Sequence, residues 1–427
     1  MWTKTVLIVM ISAFASSAFG QSLPDDSVLE SLVQKALTQN PDLQAIAEQS
    51  KSTEYKISPS GSLPDPMAMV GLSGPLADSW VGEPMAMPNL KLGISQKFPF
   101  PGKLGAMKRA AESRASGSKE SLESARQTLA ATVRSAYYDL AYWLAALETV
   151  RENIDLVNEL EAVARERYKV GLGLQVNVLQ AQKTRTRLED RKLAIEQMIE
   201  TSKWRLALLV GDTGTGEFSA SLPSLEKLPI LDNELLKDKV TAGNPIYKKT
   251  DHDIKMRRER LHKAKLDYLP DFTLGVAYGF RWENRMFPMF GTDMLTVTAG
   301  FNIPLWAGWK QKNLVSSARA DLRMSEYKKS DIHDRLVFAL EKNIHEYERN
   351  SSKYALYEQA LIPQIEATLE SALAAYQVGK LEFLDVITAQ MELFNAELET
   401  QRSLADALKA LAEIDKLTAD AIPSVNN

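Results

Sequence analysis

The sequence of this 427-residue chain contains the same arrangement of motifs twice, and this repetition limits the possible folds more than any other feature. Three short matches recur in the same order at nearly constant offsets of 204, 205 and 208 residues. They are Asn40-Pro41 with Asn244-Pro245, Phe98-Pro99-Phe100 with Ile303-Pro304-Leu305, and YKVGLGLQVNVLQAQ from Tyr168 with YQVGKLEFLDVITAQ from Tyr376. Self-similarity at a fixed spacing is the signature of a structural unit that occurs more than once. We therefore expect one unit to be built twice.

Each repeat contains a very long helical segment. Residues 103–168 include no proline, and their apolar or small residues recur at close to the 3.5-residue spacing of a coiled coil. At about 1.5 Å per residue, such a helix extends roughly 100 Å. The counterpart in the second repeat, 310–376, contains Pro363, which should kink or restart the helix. Return helices are predicted at 176–209 and 384–417.

Four shorter segments show the two-residue period of β-strands. Residues 90–98, 272–280 and 295–303 alternate apolar side chains with small or polar ones, and 67–74 shows a weaker form of the pattern. Strands of nine or ten residues with this alternation are typical of membrane β-barrels. The alternative is a soluble antiparallel sheet with one buried face. Four strands cannot close a barrel and lipid tolerates no unpaired edge, so the membrane interpretation requires several chains, and three would supply twelve strands.

The sequence offers no pattern typical of a catalytic site. The chain has no cysteine, and its four histidines, His252, His262, His333 and His345, lack the spacing of a metal site. A net charge of -4 argues against a nucleic-acid partner. We therefore predict that the chain is not an enzyme and carries no cofactor.

The N-terminus has the features of a secretory signal peptide. Lys4 supplies the positive charge, 6–14 form the apolar stretch, and Ala18-Phe19-Gly20 gives a small-residue cleavage site. Cleavage after Gly20 is predicted, and an uncleaved N-terminal anchor helix is the alternative.

Several motifs resemble one known family. FPFPGKLGAMKRAA after a strand, the doubled Y-x-V-G motif, and paired strands followed by long helices in each repeat are similar to the TolC-like outer-membrane efflux factors. LPDPMAMVGL, GEPMAMPNLKLGISQKFPFPGKL and LEFLDVITAQ resemble the heavy-metal branch that includes the CusC and CzcC proteins. The resemblance covers 27–419. The chain departs from many of these proteins in lacking a cysteine for lipidation after the signal peptide.

The resemblance implies an α+β fold with a two-fold internal repeat. Three chains would form a 12-stranded membrane β-barrel, four strands per chain, in the outer membrane of a Gram-negative bacterium, continued by a long α-helical coiled-coil barrel in the periplasm. The predicted segments are a signal peptide (1–20), an N-terminal helical segment (21–63), the first strand pair (64–101), the first long helical hairpin (102–212), a connecting loop (213–233), the leading helix of the second repeat (234–269), the second strand pair (270–307), the second long hairpin (308–420) and a tail (421–427).

The function implied by the resemblance is that of an exit duct in a tripartite efflux pump. The duct would export heavy-metal cations, with a periplasmic adaptor protein and an inner-membrane transporter of the RND type as partners. Two alternatives stay open within the family, a duct for drugs and a duct for type I protein secretion. A periplasmic coiled-coil scaffold without a pore is the alternative from another class.

Two groups of residues are candidates for the periplasmic end of such a duct. The first lies at the two helix-to-helix turns, where glycine permits a left-handed backbone and an adaptor would dock. It comprises Val170, Gly171, Leu172, Val378, Gly379 and Lys380. The second is a constriction that a ring of carboxylates would make selective for cations. Its members are Asp385, the corresponding Asn177 of the first repeat, and Thr388.

Methionines near the strands are weaker candidates for contact with cargo. Thioether sulfur is a soft ligand suited to Cu(I) or Ag(I), so these side chains could offer transient contacts, although no resident metal site is predicted. The alternative is flexible apolar packing. The residues are Met67, Met69, Met85 and Met87.

Overall fold

The computed structural model describes residues 27–73, 89–212, 218–223, 228–281 and 293–419. The predicted signal peptide and Met85 and Met87 lie outside these residues. The first repeat contains helices α1 (Ser27–Gln39), α2 (Pro41–Tyr55), α3 (Ile57–Gly61), α4 (Lys103–Lys169) and α5 (Gln175–Val210), with strands β1 (Met67–Ser73) and β2 (Asn89–Phe98). The second contains α6 (Asn233–Gly243), α7 (Pro245–Leu266), α8 (Lys310–Leu356), α9 (Ile362–Gln377) and α10 (Phe383–Thr418), with strands β3 (Phe272–Arg281) and β4 (Met294–Phe301).

The long helix predicted from the coiled-coil spacing is present. Helix α4 has 67 residues, which corresponds to about 100 Å at 1.5 Å per residue. In the second repeat, the helix passes through a π-helical turn at Tyr357–Leu361 and resumes as α9, with Pro363 in its first turn. Proline has no N–H to donate, so the backbone bonding changes at this point. The predicted disturbance at Pro363 is therefore confirmed, in the form of a π-turn.

The four strands form one antiparallel sheet in the order β1-β2-β3-β4. The hairpin of each repeat joins the other through β2 and β3, with Phe98 opposite Phe272 and Ile94 opposite Val276. Exposed apolar side chains of β3 alternate with buried small residues such as Ala277. Strand β4 ends at Phe301 and not at residue 303 as predicted, because its pairing stops at Phe272, the first residue of β3. The sheet therefore presents an exposed apolar face and two edge strands, β1 and β4.

The repeated Asn-Pro pair performs the same structural task in both units. The Asn244 carboxamide oxygen accepts from the N–H groups of Ile246 and Tyr247, while its nitrogen donates 3.0 Å to the Leu417 carbonyl at the end of α10. Asn40 likewise caps α2 and donates to the carbonyl of Leu209 near the end of α5. Each asparagine thus caps its own helix and ties it to the return helix of the same repeat.

Helix α10 packs against both α4 and α8, and the largest apolar core joins it to α1, α4 and α5. The fully buried tyrosines Tyr137 and Tyr138 belong to this core. None of the helices in the described part of the chain is both long enough and apolar enough to cross a membrane.

Candidate functional site

The first helix-to-helix turn joins α4 to α5 and is closed by a Schellman motif. The Gly171 N–H donates 3.1 Å to the Tyr168 carbonyl, and the Leu172 N–H donates 2.8 Å to the Arg167 carbonyl. Gly171 has a φ of +74°, and a Cβ at this position would meet open space. The left-handed backbone, and not crowding, is therefore what favours glycine here.

The second turn, between α9 and α10, has the same geometry. Gly379 has a φ of +76° and donates 3.0 Å to the Tyr376 carbonyl, while the Lys380 N–H donates 2.9 Å to the carbonyl of Ala375. The same shared glycine thus performs the same capping role at the end of each long helix.

The two turns expose apolar side chains. Val170 is 67% exposed, Leu172 is 71% exposed and Val378 is 67% exposed. Leu174, just beyond the first turn, is also largely exposed. Together these four residues form an apolar patch at the tips of the helical hairpins, which we call the tip patch.

Arg167 connects the two turns, although it is not among the residues predicted from the sequence. Its guanidinium donates to the carbonyls of Tyr376 and Gln377, both at 3.0 Å, and lies 4.8 Å from the centre of the Tyr376 ring. Burial raises the pKa of the Tyr376 hydroxyl, against the charge of Arg167 and the neighbouring Asn177 side chain, which lower it. The second repeat has Ala375 where the first has Arg167. This break in the repeat is the sequence signal that could have revealed it.

The predicted constriction residues do not share one environment. Asp385 and Thr388 are both exposed, one turn apart at the start of α10, while Phe383, Val386 and other neighbours are buried. Within the described residues Asp385 has no ion-pair partner. The Thr388 hydroxyl donates a 2.8 Å hydrogen bond to the Leu384 carbonyl of its own helix. Asn177 is half-buried beside Tyr376. The structure therefore places Asp385 and Thr388 on one exposed face and Asn177 against the tyrosine of the other turn.

The methionines in β1 lie on the face of the sheet that carries small residues. Met69 is paired with Gly93 and Met67 with Ser95, and Gly93 is in turn opposite Ala277. Both side chains are exposed. Among the described residues no group of histidine, aspartate and glutamate could hold a metal ion. Contact between these methionines and cargo stays a prediction.

A buried lysine links the two repeats where the strands meet the helices. Lys103, the first residue of α4, is 5% exposed. Its ammonium lies 2.8 Å from Asp271 and 3.6 Å from Asp267, and it donates 3.0 Å to the carbonyl of Leu269. Burial alone would favour the neutral carboxyl, but hydrogen bonds from Lys103, the Phe100 N–H and a second lysine lower the pKa of Asp271 to about 2. We call this group of contacts the junction lock.

Comparison with known proteins supports the resemblance seen in the motifs. The family model described as outer membrane efflux protein matches residues 32–212 and 236–420. The cobalt-zinc-cadmium resistance protein CzcC of Cupriavidus metallidurans is 21% identical over 395 residues, which are 91% of this chain and 89% of that protein.

Solved structures show the same fold at low identity. VceC of Vibrio cholerae has a TM-score of 0.78 at 21% identity, over 92% of this chain and 96% of that one. CusC has a TM-score of 0.81 at 15% identity, over 95% of both chains. The family match, which extends over most of both repeats, shows that the chain belongs to the outer membrane efflux protein family and is a TolC-like outer-membrane channel protein with a long periplasmic helical extension.

Proposed function

We propose that three copies of this chain form the exit duct of a tripartite pump that exports heavy-metal cations. Twelve strands would close a barrel in the outer membrane, and the long helices would continue it as a coiled-coil barrel through the periplasm. The observation that carries the proposal is the sheet, which combines an exposed apolar face, an opposite face of small residues and two edges that no other described strand pairs with. Such a sheet is stable in lipid only when its edges are paired in a closed barrel.

The identity of the cargo is supported by the motifs and by the relatives. The motif segments that resemble the heavy-metal branch include β1, β2 and the start of α10. The CzcC relative is named for resistance to cobalt, zinc and cadmium, and the CusC structure shares the fold. We infer that the cargo is a heavy-metal cation delivered by a proton-driven RND-type transporter through a periplasmic adaptor.

Conductance and resistance measurements test this function. Purified protein should form trimers that conduct ions in a planar bilayer. Deleting the gene should sensitise the host to heavy-metal cations and leave sensitivity to organic drugs unchanged. A trimer that does not conduct would favour the scaffold, and drug sensitivity without metal sensitivity would favour a drug duct. Loss of export of a protein substrate would favour a secretion duct.

The adaptor is proposed to dock on the tip patch and on the two turns that carry it. An exposed apolar patch rimmed by charged residues is typical of a protein-binding surface. The tips of an adaptor's helices would cover the turns at Val170, Gly171 and Leu172 and at Val378, Gly379 and Lys380.

Removing apolar area from the tip patch tests the docking proposal. Leu172→Ser combined with Val378→Ser should abolish metal resistance while trimer levels in the outer membrane stay unchanged, because both side chains are exposed. A bulky residue at Gly171 or Gly379 should have the same effect. Leu193→Ser is a matched control, since Leu193 is 67% exposed but lies in the middle of α5. Full resistance in the tip variants would contradict docking there.

The exposed start of α10 is proposed as a cation-selective constriction. Three copies of Asp385 around the axis would repel one another, and a passing cation would relieve this repulsion. Thr388 shares the exposed face, whereas Asn177 would act through Tyr376.

Bilayer recordings test the constriction. Asp385→Ala should reduce the preference for cations and weaken block by trivalent cations. Asp334→Ala, at an exposed position on α8, should change neither property. Identical selectivity and block in wild type and Asp385→Ala would exclude Asp385 from the constriction.

A further inference from the structure

The contact between the two repeats within one chain provides a template for the contact between chains. The repeats meet along β2 and β3, and the junction lock closes the base of this seam through Lys103 and Asp271. The outer edges of the same sheet, β1 and β4, have no neighbour within the part of the chain that the structure describes. Because the two hairpins are repeats of one unit, β4 of one copy next to β1 of another would reproduce the β2–β3 arrangement.

Both halves of the junction lock have unpaired counterparts at these edges. Leu63-Pro64-Asp65 repeats Leu269-Pro270-Asp271 at an offset of 206, so Asp65 corresponds to Asp271. Lys310 is the first residue of α8, as Lys103 is of α4. Asp65 and Lys310 are exposed, and neither has an ion pair among the described residues.

Lys310 lies at a position where an unpaired positive charge is unfavourable. A positive charge at the N-terminus of a helix opposes the helix dipole. Around Lys103 this is offset by two aspartates, but the first turn of α8 contains no acidic residue. A carboxylate supplied from outside the chain would remove the conflict.

We propose that Asp65 of one copy pairs with Lys310 of the next copy, and that this ion pair closes each seam between β4 and β1. The inference rests on the proposed assembly of three chains and adds the contact and the strand register that hold the seam. Gly61 stands where the second repeat has Asp267, so the proposed lock has one carboxylate where the junction lock has two.

The offsets of the repeat also fix the strand register across the seam. Adding 206 to a residue number in β1 gives the equivalent residue in β3, and adding 205 to one in β2 gives the equivalent residue in β4. The observed pair of Met67 and Ser95 then corresponds to Thr273 and Gly300, which are paired in the structure. For the observed pair of Gln96 in β2 and Leu274 in β3, adding 205 to the first and subtracting 206 from the second gives Phe301 and Ala68. Phe301 of one copy should therefore lie opposite Ala68 of the next.

One feature of the edge strands agrees with this register. Leu92 opposite Tyr278 converts into Val297 opposite Leu72 of the next copy, so apolar side chains stay on one face.

Engineered disulfides test the register, and the absence of natural cysteine removes background. Phe301→Cys combined with Ala68→Cys should oxidise to a covalent trimer. Phe301→Cys combined with Val70→Cys should not, because diagonal partners lie about 7–8 Å apart and a disulfide spans about 4.4–6.8 Å between Cα atoms. Gln96→Cys with Leu274→Cys should link within one chain and confirms that oxidation is complete.

Charge exchange tests the ion pair. Lys310→Asp or Asp65→Lys should each lower the amount of detergent-resistant trimer by roughly tenfold, and the double exchange should restore it. Lys312→Asp, two residues further along the exposed start of α8, is the matched control and should leave the trimer intact.

The outcomes separate this inference from the proposed function. A conducting wild-type trimer in which the shifted cysteine pair links as well as the predicted pair refutes the register. The ion pair is refuted if the wild-type trimer conducts but Lys312→Asp lowers the amount of trimer as much as Lys310→Asp does. It is also refuted if the double exchange fails to restore the trimer. In these cases the duct itself would stand. A wild-type protein that forms no trimer would overturn both.

Discussion

Replacing Asp271 by asparagine removes the charge of the junction lock with almost no change in shape. Lys103 would stay buried, with the Leu269 carbonyl at 3.0 Å as an acceptor and Asp267 at 3.6 Å as its remaining carboxylate. The two side chains are only 7% and 15% exposed, so water cannot readily replace the lost carboxylate. Removal of one partner from a buried ion pair is among the more destabilising single substitutions.

The pKa of Asp271 gives the expected magnitude. A shift from 3.8 to about 2 corresponds to about 2.5 kcal/mol, at 1.36 kcal/mol per pKa unit. The folded-state pKa is the lower one, so this stabilisation is fully present above pH 4 and is lost as the pH falls towards 2. Asp271→Asn should therefore lower the free energy of unfolding by about 2–3 kcal/mol at pH 7, and the deficit should shrink at pH 2.

Urea unfolding in detergent, followed by circular dichroism at several pH values, measures this deficit. Glu54→Gln is the control, because the Lys119–Glu54 pair is 61% and 51% exposed and should contribute less than about 1 kcal/mol. A deficit for Asp271→Asn that matches the control at pH 7, or that stays constant between pH 7 and pH 2, would show that the ionised Asp271 does not stabilise the fold through Lys103.

Further predictions concern the turn and cap contacts. Arg167→Ala removes two hydrogen bonds and a cation–π contact between the turns, so we expect it to lower the stability of the hairpin tips by about 1–3 kcal/mol, measured as faster proteolysis there. Lys169→Ala is the control and should change proteolysis little, because the Lys169 side chain pairs with the exposed Glu166. Asn244→Asp keeps the cap acceptors but turns a carboxylate towards the Leu417 carbonyl, so it should lower thermal stability more than Asn244→Ala, which costs about 1–2 kcal/mol. Equal melting temperatures for the two Asn244 variants would argue against the tie to α10.

The features that depend on local geometry could be predicted from the sequence. Helix and strand periods are set by residues a few positions apart, which is why 103–168 and the alternating segments predicted α4 and the sheet strands. The glycines at 171 and 379 marked the turns because few other residues adopt a positive φ. The internal repeat can be recognised in the sequence without a structure.

Contacts between residues far apart in the chain could not be predicted from the sequence and became apparent in the folded structure. Lys103 and Asp271 are 168 positions apart, and no local pattern connects them until β2 pairs with β3. The break in the repeat singles out Arg167, but only the packing of the two turns shows that it bonds to the Tyr376 carbonyl. Asn177 was grouped with Asp385 because they occupy equivalent repeat positions, yet packing turned it towards that tyrosine. Such contacts depend on how whole elements pack, because burial and charge pairing act between surfaces that the chain brings together only after its helices and strands have formed.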